Sequence, residues 1–417
     1  HIGLGSMAVP GTLAGLFHVH ERLGNLPRSV VVEPAIHYAK TGVEVSPFQA
    51  YCFKILSPIL LASQAARQIY APTGIPLQVG DWLKMPDLAQ TLDYLSKTGI
   101  NGFYRGEIAQ QLVRSCEEQG GYLTQEDLEN YEVIERQPLK TMYRGKTCLT
   151  NPPPSTGGTL IAFALSLLSQ VELGKLEFGS IVHRQILADV MRLTNQARSD
   201  KYDSRIHEVD VAERFLAASH LEPYAQSLTA NLNKWGSTTH ISAIDTAGNA
   251  ASVTTSNGEG SSYIIPGTGV MVNNMLGEAD LHPNGFHQWQ KNVRISSMMA
   301  PTIILDQQQR AEIVLGSGGS NRIRTAILQV ISNLIDFDMS IESAVNSPRI
   351  HWEATVFSLE PHPNNLMNNS FPFDGQVEHW QQQNMFFGGV HAVARDLSGQ
   401  LCGAGDPRRE GAVAILN

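Results

Sequence analysis

The sequence predicts an α+β fold built on antiparallel strands, and three observations carry that reading. Two runs of alternating apolar and polar residues, His240-Ile241-Ser242-Ala243-Ile244 and Ala250-Ala251-Ser252-Val253-Thr254-Thr255, flank a turn at Asp245 to Gly248, which is the pattern of a hairpin. Apolar residues recur at helical spacing over Thr12 to Leu23, Val30 to Leu61, Asp87 to Glu118 and His183 to Tyr202. Further strand patterns lie at Val133 to Tyr143, Lys146 to Leu149 and Glu312 to Leu315.

Taken in order, Ser6 to Gly11 reads as a loop, and Gly24 stops the first helix. The helices from Val30 to Leu61 are expected to cover one side of a sheet. Asp87 to Glu118 reads as two amphipathic helices about the turn Thr98-Gly99-Ile100-Asn101-Gly102. Thr124 is a candidate N-cap, because its hydroxyl and the acids at Glu126 and Asp127 suit the free amides of a first turn. Pro152 to Gly158 is a rigid turn entering a helix from Leu160 to Leu168, and with no Lys-Ser or Lys-Thr after the glycines it is not a P-loop. Val209 to Leu228 is a further helix, Ala230 to Ser237 is expected to be exposed, and strands around His391 to Ala394 and Ala412 to Ile415 complete a sheet.

Composition narrows the function classes. A chain of 417 residues can hold two or three domains at the usual size of about 150 residues each. With 42% hydrophobic and 17% charged residues it has material for a large core. The net charge of −9 argues against a nucleic-acid partner, which needs clustered Lys and Arg. Cys52, Cys116, Cys148 and Cys402 lie far apart, which excludes a zinc ribbon or a dithiol motif and leaves the compartment open among periplasm, exterior and cytoplasm. No apolar run reaches the length of about 18 residues that spans a bilayer, so a soluble protein without a membrane partner is expected. His18 and His20, two apart on a helix, point to different faces, and no metal or cofactor is expected.

The chemistry concentrates at Gly236-Ser237-Thr238-Thr239, where small residues lead into the hairpin. If the bond before Thr238 were broken, that residue would carry a hydroxyl nucleophile and an α-amino group together. The amine titrates at about 7.7–8.0, so it can take the hydroxyl proton and return it to a leaving group. This is the N-terminal threonine form of nucleophilic catalysis. The small Ser237 and Gly236 leave room for the Thr238 hydroxyl to attack its own upstream carbonyl in an N-to-O acyl shift.

The run from Thr238 to Ser242 with Asp245, Gly248-Asn249-Ala250 and Asn273-Asn274 resembles the start of the small subunit of γ-glutamyltranspeptidases, N-terminal-nucleophile enzymes that mature by self-cleavage. Pro10-Gly11-Thr12-Leu13-Ala14-Gly15, Phe103-Tyr104-Arg105-Gly106 and Pro152 to Gly158 are similar to large-subunit motifs. Ser296-Ser297-Met298 with Pro301-Thr302-Ile303, Gly316-Ser317-Gly318-Gly319, and Gly405-Asp406-Pro407-Arg408 are similar to small-subunit motifs, the last of them structural. The resemblance spans nearly the whole chain in the same order. It implies a four-layer αββα sandwich, a large-subunit portion at 1–237 and a small-subunit portion at 238–417. Family members carry core strands and a carboxylate-gripping arginine ahead of the first residue here, so the expectation is either a chain that starts within a longer one or a protein that departs from the family.

The resemblance also implies residue roles. Ser256 takes the place of a threonine that hydrogen-bonds the nucleophile, and a serine can still donate and accept. The amides of Gly318 and Gly319 would hold the tetrahedral oxyanion, at a glycine-rich helix start. Ser296 and Ser297 would take the substrate α-carboxylate; as successive residues they face one ligand only where the backbone is irregular. The loop Asn257-Gly258-Glu259-Gly260-Ser261-Ser262 stands where an asparagine contacts substrate, and strict counting puts Gly258, not Asn257, in that register. Glu278, with Asp280 second, would hold the α-ammonium, since Met275 stands where an amide or acid is usual. The implied activity is transfer of a γ-glutamyl group from glutathione or another γ-glutamyl amide to an amino acid, a peptide or water. Two alternatives stand beside it: an amidase or cephalosporin-type acylase of the same superfamily, favoured by the altered ammonium-binding loop, and an inactive, uncleaved binding module.

Overall fold

The computed structural model describes residues 1–225, 238–282, 284–353, 355–362, 376–396 and 398–416. They form two compact units, one of His1–Glu135 with Asn257–Ala279, the other of Arg136–Ser256 with Asp280–Asn417.

The first unit is helical: α1 (Thr12–Leu23), α2 (Arg28–Thr41), α3 (Pro47–Ile55), α4 (Ser57–Leu60), α5 (Gln64–Tyr70), α6 (Pro86–Thr98), α7 (Ile100–Tyr104), α8 (Glu107–Gln119) and α9 (Gln125–Glu129), with a short ribbon of β1 (Val43–Glu44) and β2 (Trp82–Leu83). Its core gathers Phe17, Phe103, Leu112, Leu128, Ile265 and Val272. The first helix ends at Gly24 as expected, and Thr124 caps α9 in a reciprocal box, accepting from the Asp127 amide at 3.2 Å while its own amide donates to the Asp127 carboxylate at 2.9 Å. Two expectations change. Within this unit α2 packs on α6 and covers no broad sheet. The turn after α6 holds a helix of its own, α7, because Gly99 at φ +72° reverses the chain before Ile100.

The second unit continues with β3 (Leu139–Tyr143), β4 (Lys146–Thr150), α10 (Thr156–Leu168), α11 (Ile181–Ala197), α12 (Val211–Leu216), α13 (Ala218–Ala225), β5 (Thr239–Ile244) and β6 (Ala250–Thr255). After the excursion into the first unit come β7 (Thr302–Leu305), β8 (Ala311–Gly318), α14 (Arg322–Ile335), α15 (Ile341–Asn346), β9 (Ile350–Glu353), β10 (Val356–Leu359), β11 (Gln376–His379), β12 (Gly389–Arg395) and β13 (Leu401–Ala404). A six-stranded antiparallel sheet runs β13-β12-β8-β7-β4-β3, and β9 to β11 form a smaller sheet. Strands from both sides of position 238 therefore share one sheet.

Strand β8 sets the layering. Its side chains alternate between faces. Ile313 and Leu315 join the core that α10 and α14 supply through Leu160, Ile323 and Ile327, whereas Gly316 turns toward the β5–β6 hairpin, where it meets the His240 ring. Ser252 Oγ donates to the Leu315 carbonyl at 3.1 Å and Ser242 Oγ to the His391 carbonyl at 3.2 Å, so the hairpin forms a second layer across β8 and β12.

Several boundaries differ from expectation. Strand β3 starts at Leu139, not Val133, because Pro138 has no amide for a ladder. Gly157 and Gly158 lie inside the first turn of α10, not in the turn before it; a Cβ on Gly157 would fall 2.2 Å from the Met298 carbonyl oxygen, and one on Gly158 2.1 Å from that of Asn151. Residues 412–415 form no strand and are exposed. The helix expected from Val209 breaks into α12 and α13, and its end past 225 lies outside the described residues, as does the segment Ala230 to Ser237.

This packing has two measurable consequences. A Cβ on Gly316 would fall 2.2 Å from the buried His240 ring, so Gly316→Ala is expected to lose about 1–3 kcal/mol in urea unfolding by overpacking. Burial pushes His240 down to about 3, and His183 and His351 down to about 4, from the ordinary 6.5. The fold keeps these rings neutral, so their contribution is complete above the unfolded value and is lost as the unfolded chain takes up protons below it. The urea midpoint should fall from about pH 6.5 toward pH 4, and His240→Gln should make the decline shallower; an unchanged slope would contradict this.

Candidate active site

Thr238 stands at the head of β5. The register Thr239 opposite Thr255 sets it across from Ser256, and the Thr238 hydroxyl donates to Ser256 Oγ at 3.3 Å. The serine that counting along the hairpin selects is thus in contact with the candidate nucleophile. Ser237, on the other side of the proposed scissile bond, lies outside the described residues.

The glycine pair lies against the same residue. A Cβ on Gly318 would fall 2.1 Å from the Thr238 carbonyl oxygen and 2.9 Å from its carbon, so the close approach requires glycine. Gly319 has φ +127° and abuts Gly388, whose Cα is 3.0 Å from the point its own Cβ would take. One expectation is corrected: Gly318 ends strand β8, paired with Gly389, rather than sitting in a loop at a helix start, and α14 begins only at Arg322.

Buried polar groups fix the residues just past the glycines. Asn321 Nδ2 donates to Glu353 Oε1 at 2.6 Å, and Glu353 Oε2 lies 3.0 Å from His351 Nε2. Burial would raise the Glu353 carboxyl, but the His351 bond and the charges of Arg324 and Arg322 outweigh it and hold it below its ordinary range. The Ser320 hydroxyl donates to Asp280, whose carboxyl burial raises. Asp280, the second choice for an ammonium partner, is therefore tied to the residue beside Gly319. Glu353 and its neighbours went unnoticed in the sequence because no local spacing links them to the glycines.

Ser296 and Ser297 lie outside any strand, as two hydroxyls acting together would require. Ser297 bridges to Ser155, donating from Oγ to Ser155 Oγ at 3.2 Å, and its carbonyl accepts from the Thr156 amide at 2.8 Å, so Ser297 packs on the start of α10. The antiparallel register, Thr302 opposite Leu315, carries the chain before β7 toward the end of the sheet where β8 reaches Gly318. Ser296 itself is buried.

Asn257 and Glu278 belong to the first unit. Asn257 Nδ2 donates to the Met271 carbonyl at 3.2 Å. Around Gly258, at φ +63°, a Cβ would fall 2.1 Å from Asn274 Oδ1 and 2.6 Å from Glu278 Oε1, so Glu278 faces Gly258, the residue that strict counting selects. Among the described residues no group of three or more His, Cys, Asp or Glu is placed to hold a metal ion. No helix among them is long and apolar enough to cross a membrane.

Comparison with known proteins identifies the lineage. The chain is 32% identical over 429 residues to the acylase ACY 1 proenzyme of Pseudomonas sp. strain SE83, covering 100% of this chain and 76% of the relative. It is 29% identical over 431 residues to the glutathione hydrolase proenzyme of Escherichia coli K12, covering 96% and 73%. Its fold matches the crystal structure of cephalosporin acylase from Bacillus halodurans with a TM-score of 0.86 at 24% identity, over 100% of this chain and 79% of that one. The α+β architecture is that of the N-terminal-nucleophile hydrolases. The γ-glutamyltranspeptidase model matches residues 1–416, and the chain belongs to the γ-glutamyltranspeptidase family.

Proposed function

We propose that the chain is a self-cleaving amide hydrolase or transferase in which Thr238, freed by scission after Ser237, attacks a γ-glutamyl amide such as glutathione. The observation that carries the reading is the meeting of Thr238 with both the Ser256 hydroxyl and Gly318, next to Gly319. In the first step the Thr238 amine takes the hydroxyl proton as Oγ1 bonds to the amide carbon, and the carbonyl oxygen becomes an oxyanion at the Gly318 and Gly319 amides. Collapse expels the amine, which takes that proton, and leaves a glutamyl-threonine ester. Water, or the amine of an amino acid or peptide, then attacks the ester, and the proton returns to Thr238.

In this reading Ser256 orients the nucleophile, Ser296 and Ser297 take the α-carboxylate, and Glu278 with Asn257 serves the α-ammonium end. The portions 1–237 and 238–417 would be the two subunits, which the shared sheet would keep together after scission. A second reading, an acylase for acyl groups lacking the α-amine, is favoured by Met275, which offers an ammonium no charge, and by the 32% identity to an acylase proenzyme.

Thr238→Ala is expected to stay a single band on a denaturing gel and to turn over no substrate; cleavage of that variant would remove the proposed nucleophile. Purified protein offered a γ-glutamyl anilide and a glutaryl anilide should favour the former, and equal or better turnover of the glutaryl compound selects the acylase reading. Gly318→Ala keeps the backbone amide, but its Cβ would collide with the Thr238 carbonyl and push the nucleophile away from the glycines, so kcat/KM should fall by about 100-fold or more, the scale on which misplacing an oxyanion donor acts.

A further inference from the structure

We propose that the second unit holds a site for a small inorganic oxyanion, of the phosphate or sulfate kind, in a cavity at the start of α11 lined by His183, Arg184, Arg349 and His362. Its walls come from α11, α14, β9 and the chain just past β10, and none from the β5–β6 hairpin or from Gly316 to Gly319. Gln329, which also lines it, lies about 10 Å along α14 from Arg322, the end that follows the glycines. The cavity is therefore separate from the candidate active site.

Donors gather there in excess of acceptors. The Gly179 amide donates to His183 Nδ1 at 3.1 Å, and burial holds the ring neutral, so its proton sits on Nε2. That Nε2 and Arg349 Nε are both buried with no hydrogen-bond partner among the described residues, and each of the two side chains is only 2% exposed. A donor left unmet in such a place carries the full cost of its desolvation. Arg184 is buried too, and its charge adds to burial in pushing both His183 and His362 below the ordinary histidine value. The His362 ring closes on the helix start, where a Cβ on Gly179 would fall 2.1 Å from its Nε2.

The nearby carboxylates are engaged elsewhere. Asp336 pairs with Arg144 at 2.9 Å, and Glu360 accepts from Arg408 at 2.7 Å and from the Arg349 and Asn384 amides at 2.9 and 3.1 Å. Glu177, which acts on His362, is exposed. The far end of Arg349 pairs with Asp406 at 2.5 Å. What the cavity presents is positive charge and N–H groups at the first turn of a 17-residue helix, whose dipole has the same sign. An oxyanion answers these groups through charge-assisted bonds, and a guanidinium fork matches two of its oxygens at once. His183, Arg184 and Arg349 are buried, and of the four named side chains only His362 is half-buried, which suits a free ion rather than one carried on a longer molecule.

Calorimetric titration of sodium phosphate and of sodium sulfate into the purified protein at neutral pH, against sodium chloride at equal ionic strength and with Tm followed alongside, tests the site. Both oxyanions should bind with measurable heat and raise Tm as their concentration rises, and chloride should do neither. Arg184→Gln should weaken phosphate binding by about 10- to 100-fold. His183→Phe keeps a ring beside Phe178 and Phe337 but removes Nε2, and should weaken it by about 3- to 10-fold. Arg205→Gln, at an exposed position outside the cavity, should leave it unchanged. Phenyl phosphate should bind more weakly than phosphate, and equal affinity would overturn the free ion as ligand. Heat and Tm changes no larger than those of chloride, or phosphate binding undiminished in Arg184→Gln, overturn the site. Should Arg184→Gln fail to fold, undiminished binding in His183→Phe overturns it alone.

Discussion

The close approach of the β5–β6 hairpin to strand β8 is the constraint on which the site depends. Two residues of β8 on one face, Gly316 and Gly318, carry no side chain, and into that space go the His240 ring and the Thr238 carbonyl. Any Cβ would stand within 2.2 Å of either group, so the hairpin could not lie where it does. Leu315, close by on the same strand, faces the other way into the helical core. The same strand thus anchors the fold on one face and admits the candidate nucleophile on the other.

Buried charge supplies the rigidity that this arrangement needs. Arg349, Arg408, Asp406 and Glu360 are almost wholly removed from water, and each finds an opposite partner within the group. Such pairs add little net stability against an apolar replacement, because desolvation offsets most of the attraction. Their effect is geometric. They fix the turn at Pro407 and the start of β12, where Gly389 pairs with Gly318. Glu353 does the same for Asn321 on the far side of Gly319.

Much of the candidate site was legible in the sequence because it is written in local pattern. Period-two alternation and the Asp245 to Gly248 turn define the hairpin, and its register then selects Ser256 by counting. Gly318 reads as part of a helix-start loop because glycine marks a break; what makes it a strand residue is pairing with Gly389, far away in the chain. Glu353 is invisible to any window for the same reason. The apolar run Ala412 to Ile415 has the composition of a strand but no neighbour to pair with among the described residues, and it stays exposed. Gly157 and Gly158 look like turn residues, yet they are small because α10 presses against Met298 and Asn151.

The central claim is that one residue supplies both nucleophile and base, which requires a free amine on Thr238. Mass spectrometry of the matured, purified protein measures this directly. The account predicts two polypeptides, one of which begins with unmodified Thr238. A single intact chain in active protein, or a new terminus at any other residue, would contradict it.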